Sequence, residues 1–377
     1  MEKKLRIALA QINPTVGDLK GNRKKIKYFL KQAQQYKVDV VIFPELAICG
    51  YPPEDLLLKG HFVRDNLETL NSLIEETSGI VMIVGFVDSD EKGNLYNSAA
   101  IVQNGQLKGI YHKFELPNYG VFDEKRYFQP GERVPLFKLG GTIFGVTICE
   151  DIWKRDGVVK LEADRGAQLI INISASPYHA GKRELRKQIL TERVRETKTH
   201  ICYTNQIGGQ DELVFDGGSA IIDPDGEIIA KGMEFEEDLV MGDLRIRESL
   251  KEDTKTNDKN YIALDEVETA EKPPLPKRKY ITLTRLEEIY SALVLGTRDY
   301  IIKNGFKKVV IGLSGGIDSS LTAVIACDAI GKENVIGVSM PSQYSSQQTQ
   351  SDTKALANNL GIRLIVVPIA SIFKAYL

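Results

Sequence analysis

Three residues whose chemistry could be combined stand at the ends of apolar runs. Glu45 closes Val38-Asp39-Val40-Val41-Ile42-Phe43-Pro44-Glu45, and Lys113 closes Ile110-Tyr111-His112-Lys113. Cys149 closes Thr142-Ile143-Phe144-Gly145-Val146-Thr147-Ile148-Cys149 and opens Glu150-Asp151-Ile152-Trp153. Short apolar runs read as strands, and strand ends deliver side chains to a common edge. A carboxylate, an ammonium and a thiol gathered there suit acyl transfer. A thiol is weak at its free pKa and needs a base or a neighbouring cation. Glu45 can accept the Cys149 proton and return it to departing ammonia, while Lys113 can stabilise the oxyanion of the tetrahedral intermediate. Each residue alone has a plainer reading. A buried cysteine is usually a small hydrophobe, as expected for Cys49 and Cys202. A glutamate after a strand often serves a helix N-terminus, and a lysine there is usually solvated.

A second constellation lies in Val309-Val310-Ile311-Gly312-Leu313-Ser314-Gly315-Gly316-Ile317-Asp318-Ser319-Ser320-Leu321, a strand, a tight loop and a helix start. Adjacent glycines permit positive φ and close backbone approach to a ligand. The following N–H groups and serine hydroxyls form an anion cradle at the positive end of a helix. No Gly-Lys-Ser/Thr follows, so this is not the Walker loop. A plain strand-to-helix turn is the alternative.

These groups require layered elements to hold them. At 377 residues the chain exceeds what one core usually serves, so two domains are expected. A hydrophobic share of 42% and a charged share of 27% fit a globular protein. The formal net charge of -2, with mixed signs, gives no electrostatic footprint for nucleic acid or an anionic membrane. No apolar run reaches membrane-spanning length. The basic-then-apolar N-terminus is broken by Arg6 and reads as a first strand, not a signal peptide. Four cysteines make no disulfide framework, so a reducing cytoplasm is expected.

Strands are expected at Leu5–Ile12, Val38–Phe43, Ile80–Val87, Ser98–Val102, Thr142–Ile148, Gln168–Ile173 and His200–Asn205, with helices over Lys20–Gln35, His61–Thr77 and Lys182–Thr199. Asn104-Gly105 and Asp225-Gly226 mark hairpins. Strands alternating with helices, plus hairpins, predict a layered α/β domain with mixed pairing. From about Arg245 to Lys279, the polar Lys251–Lys259 run and the proline-rich Glu271–Lys277 run read as a linker. A second α/β pattern follows: a helix over Leu286–Lys303, a strand at Val309–Leu313, a helix from Ser319, and strands at Val335–Met340 and Arg363–Val367. Ser371–Leu377 starts like a helix and ends without a stop signal, so the second domain is expected to be C-terminally truncated.

Phe43-Pro44-Glu45-Leu46, His112-Lys113 with Leu116-Pro117 close behind, and Cys149-Glu150-Asp151-Ile152-Trp153 occur in this order and resemble the nitrilase superfamily, whose catalytic set is Glu, Lys and Cys. The resemblance covers nearly all of residues 3–245. It implies an αββα sandwich with Glu45 as general base, Lys113 as oxyanion stabiliser and Cys149 as nucleophile. Glu124 matches that superfamily's supporting second glutamate; read alone it is a surface charge in a polar loop. The segments Leu116–Glu124 and Ser174–Lys182 are similar to the glutaminase domain of glutamine-dependent NAD⁺ synthetases, where the positions matching Tyr119, Ser176 and Lys182 contact glutamine. Without that resemblance, Ser176-Pro177 reads as a cap or turn and Lys182 as a solvated cation.

The Ser-Gly-Gly-Ile-Asp-Ser-Ser loop looks like the pyrophosphate-binding loop of ATP pyrophosphatase domains. This implies that Gly312, Leu313, Ser314, Gly315, Gly316, Ile317, Asp318 and Ser319 embrace the pyrophosphate of ATP. Several ligase families share the loop. The nitrilase-like domain in front, and Met340–Ser346 followed by Asp352 and Leu356–Ile362, select the glutamine-dependent NAD⁺ synthetases; Ser345-Ser346 alone reads as a helix cap. The implied fold is α/β: a nitrilase-like αββα sandwich over 1–245, a linker over 246–284, and part of a Rossmann-like (adenine nucleotide alpha hydrolase) doubly wound domain over 285–377. The implied reaction is glutamine hydrolysis at Cys149, its ammonia then amidating deamido-NAD⁺ with ATP and Mg²⁺. The resemblance assigns no metal ligand within this chain and no cofactor to the glutaminase. It implies glutamine, ATP and deamido-NAD⁺ as partners, no nucleic acid or membrane, and a homo-oligomer. Further deamido-NAD⁺ and metal contacts are expected beyond residue 377. A stand-alone amidase on another small amide, and an inactive fragment, remain as alternatives.

Overall fold

The computed structural model describes residues 2–247, 261–266, 271–278 and 280–376. The Lys251–Lys259 run expected as a linker lies outside the described residues, as do Lys279 and Leu377. The chain divides into two compact units, Met1–Gly208 with Phe215–Thr282, and Gly209–Val214 with Leu283–Leu377.

The first unit begins with β1 (Glu2–Gln11), α1 (Leu19–Gln35), β2 (Val40–Ile42), α2 (Gly60–Ile74), β3 (Val81–Ser89), β4 (Leu95–Gln103) and β5 (Gln106–His112). Next come β6 (Leu136–Leu139), β7 (Thr142–Ile148), α3 (Val158–Asp164), β8 (Leu169–Ser174), α4 (Lys182–Thr197) and β9 (His200–Asn205). The β10 (Ile207–Gln210) and β11 (Leu213–Asp216) hairpin is shared, its Gly209–Val214 part belonging to the second unit, and β12 (Ala220–Ile222), β13 (Ile228–Lys231), β14 (Asp238–Arg247) and β15 (Tyr261–Leu264) complete the first. Two mixed sheets form, in the orders β14-β1-β2-β3-β4-β5 and β13-β12-β9-β8-β7-β6-β15.

Side-chain alternation explains the layering. Leu5, Ile7 and Leu9 of β1 share one core with Val146 and Ile148 of β7 and Ile171 and Ile173 of β8, so the sheets pack face to face. Ala8 and Ala10 of β1 turn outward onto Ile26, Phe29 and Leu30 of α1 and Leu70 and Leu73 of α2. On the other sheet, Ile170, Ile201 and Tyr203 turn outward onto Val159 of α3 and Leu190 and Val194 of α4. The result is the expected αββα sandwich. The β4–β5 turn has Asn104 at φ 49° and Gly105 at φ 71°, as an Asn-Gly hairpin requires.

The segment expected as a linker is partly built into this unit. Tyr261–Leu264 forms β15 and pairs in parallel with β6. Buried Arg6 donates to the Pro273 carbonyl at 2.7 Å while its guanidinium pairs with Asp243, and Lys272 bonds Asp39. Polar composition hid this, because only a few apolar side chains dock, with Leu264 and Ile262 in the core between the sheets and Leu275 against the outer helices, and main-chain pairing and ion pairs do the rest. The sequence reading also omitted β14, which pairs with β1 over ten residues.

The second unit contains α5 (Arg285–Lys303), β16 (Val309–Gly312), α6 (Ile317–Ile330), β17 (Val335–Ser339), α7 (Gln347–Leu360), β18 (Arg363–Val366) and α8 (Ala370–Tyr376). Its three strands are parallel, in the order β16-β17-β18. Thr284 opens α5 with a capping box: its hydroxyl accepts from the Glu287 amide, and Glu287 accepts from the Thr284 amide at 2.7 Å. Leu313, Ala323, Ala326, Val335, Ala357 and Ile362 form the core.

Candidate active site

The expected acyl-transfer residues converge within the first unit. Glu45 follows β2 in a loop whose backbone rests on β3: a Cβ on Gly85 would lie 2.3 Å from the Leu46 amide nitrogen, so only glycine fits there. Lys113 is the residue after β5, and Glu124 opens a short 3₁₀ turn at Glu124–Arg126. All three are buried. The Lys113 Nζ donates to Glu45 Oε1 at 2.7 Å and to Glu124 Oε1 at 2.8 Å. Asn97 of β4 donates to Glu45 Oε1 at 2.7 Å, and the Ala175 amide, just past β8, donates to Glu45 Oε2 at 2.8 Å. Glu45 is thus held from both sheets. Tyr51 donates to Glu124 Oε1 at 2.9 Å, whereas the buried Glu124 Oε2 has no hydrogen-bond partner.

Cys149 comes from the opposite sheet, at the end of β7, and is buried at 4% exposure. Its φ is +44°, in the left-handed region that costs a non-glycine residue about 1–3 kcal/mol and persists only where surroundings over-determine it. Burial and the Glu45 charge push its thiol well above the ordinary range, with Lys113 acting the other way. The resting sulfur is therefore a thiol that needs a proton acceptor. Burial works against the Lys113 ammonium, but Glu124, Glu45 and Cys149 outweigh it and hold its pKa well above that of an ordinary lysine.

Burial, opposed by Lys113 and reinforced by Glu45, raises Glu124 from 4.5 to about 7. A raised carboxyl pKa binds the proton more tightly in the folded state. That stabilisation is complete below about pH 4.5 and is lost as pH rises through about 7. Glu124→Gln removes this dependence. The stability of the variant relative to the parent should improve between pH 5 and pH 8 by about 1–3 kcal/mol. Denaturant midpoints at the two pH values check it, and a pH-independent difference contradicts the shift.

The residues expected to contact glutamine take separate stations. The exposed Tyr119 hydroxyl lies 3.0 Å from each carboxylate oxygen of Glu150, next to the cysteine. Ser176 is buried, its amide donating to Asn205 Oδ1 at 2.9 Å. Lys182 opens α4 and places its Nζ 4.1 Å from the centre of the Trp153 ring. Burial lowers its pKa. One turn further, Arg186 makes a buried bidentate pair with Asp216 at 2.8 and 3.0 Å.

Asn97, Tyr51, Asn205 and the Ala175 amide were missed by the sequence reading. Asn97 and Asn205 sit beside other polar residues, Ser98 in one case and Thr204 and Gln206 in the other, so neither stood out from its surroundings. The Ala175 amide left no signal, because every residue has one.

In the second unit the loop from Gly312 to Ser319 joins β16 to α6. Gly315 has φ +83°, and a Cβ there would fall 2.3 Å from the Thr349 carbonyl. The Ser314 and Ser319 hydroxyls lie 3.2 Å apart, and Ser314 Oγ accepts from the Gly316 amide at 3.2 Å. Leu313 is buried in the core, so only its backbone faces the loop; Ile317 and Asp318 are exposed. Ser346 caps α7 through the Thr349 amide at 3.1 Å.

The carbon-nitrogen hydrolase family matches residues 6–249, and the NAD synthase family matches residues 289–377. The chain is 46% identical over its whole length to the glutamine-dependent NAD(+) synthetase of Thermotoga maritima, spanning 67% of that protein. It is 44% identical to the synthetase of the same description from Aquifex aeolicus, over 99% of this chain and 67% of that one. Among solved structures, a glutamine-dependent NAD(+) synthetase from Acinetobacter baumannii in complex with ADP superposes with a TM-score of 0.87 at 40% identity, covering 99% of this chain and 66% of that one. A Nesterenkonia amidase superposes on 64% of the chain and 92% of its own at a TM-score of 0.58 and 26% identity. In a related structure of that amidase the acetamide moiety of fluoroacetamide is covalently added at the active-site cysteine. The chain thus spans about two thirds of the length of the synthetases it matches.

Proposed function

The chain belongs to the family of glutamine-dependent NAD(+) synthetases, and from that premise we propose that its first unit hydrolyses glutamine to glutamate and ammonia through a thioester on Cys149. The observation that carries this is the buried ammonium of Lys113, 2.7 Å from Glu45 and 2.8 Å from Glu124, beside a thiol on a strained strand end. Glu45 takes the thiol proton as Sγ bonds to the side-chain amide carbon. Lys113 stabilises the oxyanion. The C–N bond then breaks, and Glu45 returns the proton to departing ammonia. Water attacks the γ-glutamyl thioester by the same route and releases glutamate. Covalent addition of an acetamide moiety at the active-site cysteine of the Nesterenkonia amidase supports a nucleophilic role for the matching thiol. Tyr119, Ser176 and Lys182 would hold the amino-acid head.

The second unit would receive the ammonia. The loop from Gly312 to Ser319 offers N–H groups and hydroxyls to the pyrophosphate of ATP. The nicotinate carboxylate of deamido-NAD⁺ would attack the α-phosphate of ATP, forming an adenylate and releasing pyrophosphate, and ammonia would displace AMP to give NAD⁺. The ADP bound to the Acinetobacter synthetase supports nucleotide binding here. Among the described residues no group of three His, Cys, Asp or Glu is arranged to hold a metal ion. Mg²⁺ commonly takes one or two carboxylates plus substrate phosphates. Asp318, exposed in the first turn of α6, would be the chain's contribution, and the ion would neutralise phosphate charge. Family membership is the support for a homo-oligomer, and four unpaired cysteines are the support for a reducing cytoplasm. No helix among the described residues is long and apolar enough to cross a membrane.

Ammonia release from glutamine, asparagine and propionamide tests this reading. Glutamine should be preferred by at least about 100-fold in kcat/KM, because a site built to bond the ammonium and carboxylate rejects an amide lacking them. Equal rates favour a general amidase. No turnover of any amide by folded protein favours an inactive chain.

A further inference from the structure

Behind the nucleophile lies a carboxylate that the proposed chemistry does not use. Asp151 is fully buried, two residues past Cys149. Its Oδ2 accepts the Ile148 amide at 2.9 Å and the Tyr111 hydroxyl at 2.7 Å. Its Oδ1 accepts the Glu115 amide at 2.8 Å and the Phe114 amide at 3.2 Å. The donors mark out a pattern. Ile148 immediately precedes Cys149, Phe114 and Glu115 immediately follow Lys113, and Tyr111 stands two residues before Lys113 on β5. One side chain therefore fastens the end of β7, in one sheet, to the end of β5, in the other.

Two further facts explain why such a fastening is needed. Cys149 holds a left-handed φ that its surroundings must enforce. Sheets packed through apolar side chains fix their spacing well, but nothing in that packing sets one strand end against another at hydrogen-bond precision. A carboxylate does, since its two oxygens accept four donors at once. Asparagine cannot, because its amide nitrogen would meet at least one main-chain N–H head-on.

We propose that Asp151 is a positioning residue, setting the Cys149 thiol against the Lys113 ammonium by tying together the strand ends that carry them. It has no exposed surface, so it acts through those residues and not on the substrate. This rests on Cys149 and Lys113 acting as proposed above. Misplacing a nucleophile by about an ångström costs roughly 100-fold in rate, while contacts to the amino-acid head are untouched. The signature is a loss in kcat without a loss in binding.

The test compares Asp151→Asn, Tyr111→Phe and a stability control, Leu73→Ala, which is buried in α2 against the outer face of the first sheet. Glutamine kcat and KM are measured, with the rate at which iodoacetamide alkylates Cys149. Asp151→Asn should lower kcat about 100-fold with KM within about threefold, and slow alkylation about tenfold. Tyr111→Phe, which removes one donor of four, should lower kcat about fivefold. Leu73→Ala should keep kcat within about twofold even where its melting temperature falls further. A kcat for Asp151→Asn within threefold of the parent overturns the proposal, as does an equal kcat loss in Leu73→Ala at equal loss of melting temperature. If Asp151→Asn does not fold, an unchanged kcat in Tyr111→Phe overturns it instead. Glutaminase activity surviving in Cys149→Ala would sink the underlying reading. A dead Cys149→Ala beside a fully active Asp151→Asn sinks only the positioning role.

Discussion

Cys149→Ala is expected to lower the kcat of glutamine hydrolysis by at least about 10⁴-fold while leaving the melting temperature within about 3 °C. The two effects separate for a physical reason. The thiol is the atom that forms the covalent bond, so without it the remaining groups act only on water, and a set that works as a unit loses nearly everything with one member. Stability changes little because alanine retains the β-carbon and vacates only a sulfur at a partly strained position. The left-handed φ of +44° remains tolerable to alanine to the same degree as to cysteine. Steady-state ammonia release on purified protein, with denaturation curves beside it, decides the matter. Residual turnover within 100-fold of the parent would remove Cys149 from the proposed role. Intact-mass detection of a γ-glutamyl adduct on the parent, absent from the variant, is the complementary observation.

Lys113→Met should have the largest effect on stability, about 3–5 kcal/mol, together with loss of glutaminase activity. The lysine lies between two buried carboxylates, at 2.7 Å from Glu45 and 2.8 Å from Glu124. Removing the ammonium leaves both buried carboxylates without a counter-charge. The outcome depends on pH in a definite direction. Glu124 is already raised to about 7, and without Lys113 its folded-state pKa rises further. A raised carboxyl contributes stability at low pH that disappears as pH climbs through its folded pKa. The deficit of Lys113→Met should therefore be smaller at pH 5 than at pH 8. Adding Glu124→Gln should recover about 1–2 kcal/mol at pH 8, since it deletes one of the two stranded charges. A deficit that grows on acidification, or a double variant worse than the single one, would show that the ammonium is not what neutralises this site.

The two experiments probe different properties of one small region, and Glu45 links them. It accepts hydrogen bonds from Lys113 and Asn97 of the first sheet and from the Ala175 amide after β8 of the second. The proposed general base is thereby fixed against rotation. A base fixed in this way can take the thiol proton without first reorienting.

Sequence alone determined the candidate residues and the elements that carry them. The apolar runs ending at Glu45, Lys113 and Cys149 were legible because strand periodicity is local, and the short words around them carried the family resemblance. The hairpin at Asn104-Gly105 was legible for the same reason, as backbone conformation there depends on two residues only. Tertiary structure alone decided how the charges are satisfied. The Lys113 ammonium bridges carboxylates 68 and 11 residues away in sequence, and the Ala175 amide reaches Glu45 across 130 residues. Such pairings leave no periodic trace, since one donor and one acceptor can meet at any separation once the chain is packed. The same holds for β15, whose four residues sit in a polar stretch and gain their place by pairing with β6. It holds most of all for Asp151. Its neighbours in sequence placed it beside the nucleophile, but only the packing of two sheets showed that it fastens Cys149 to Lys113.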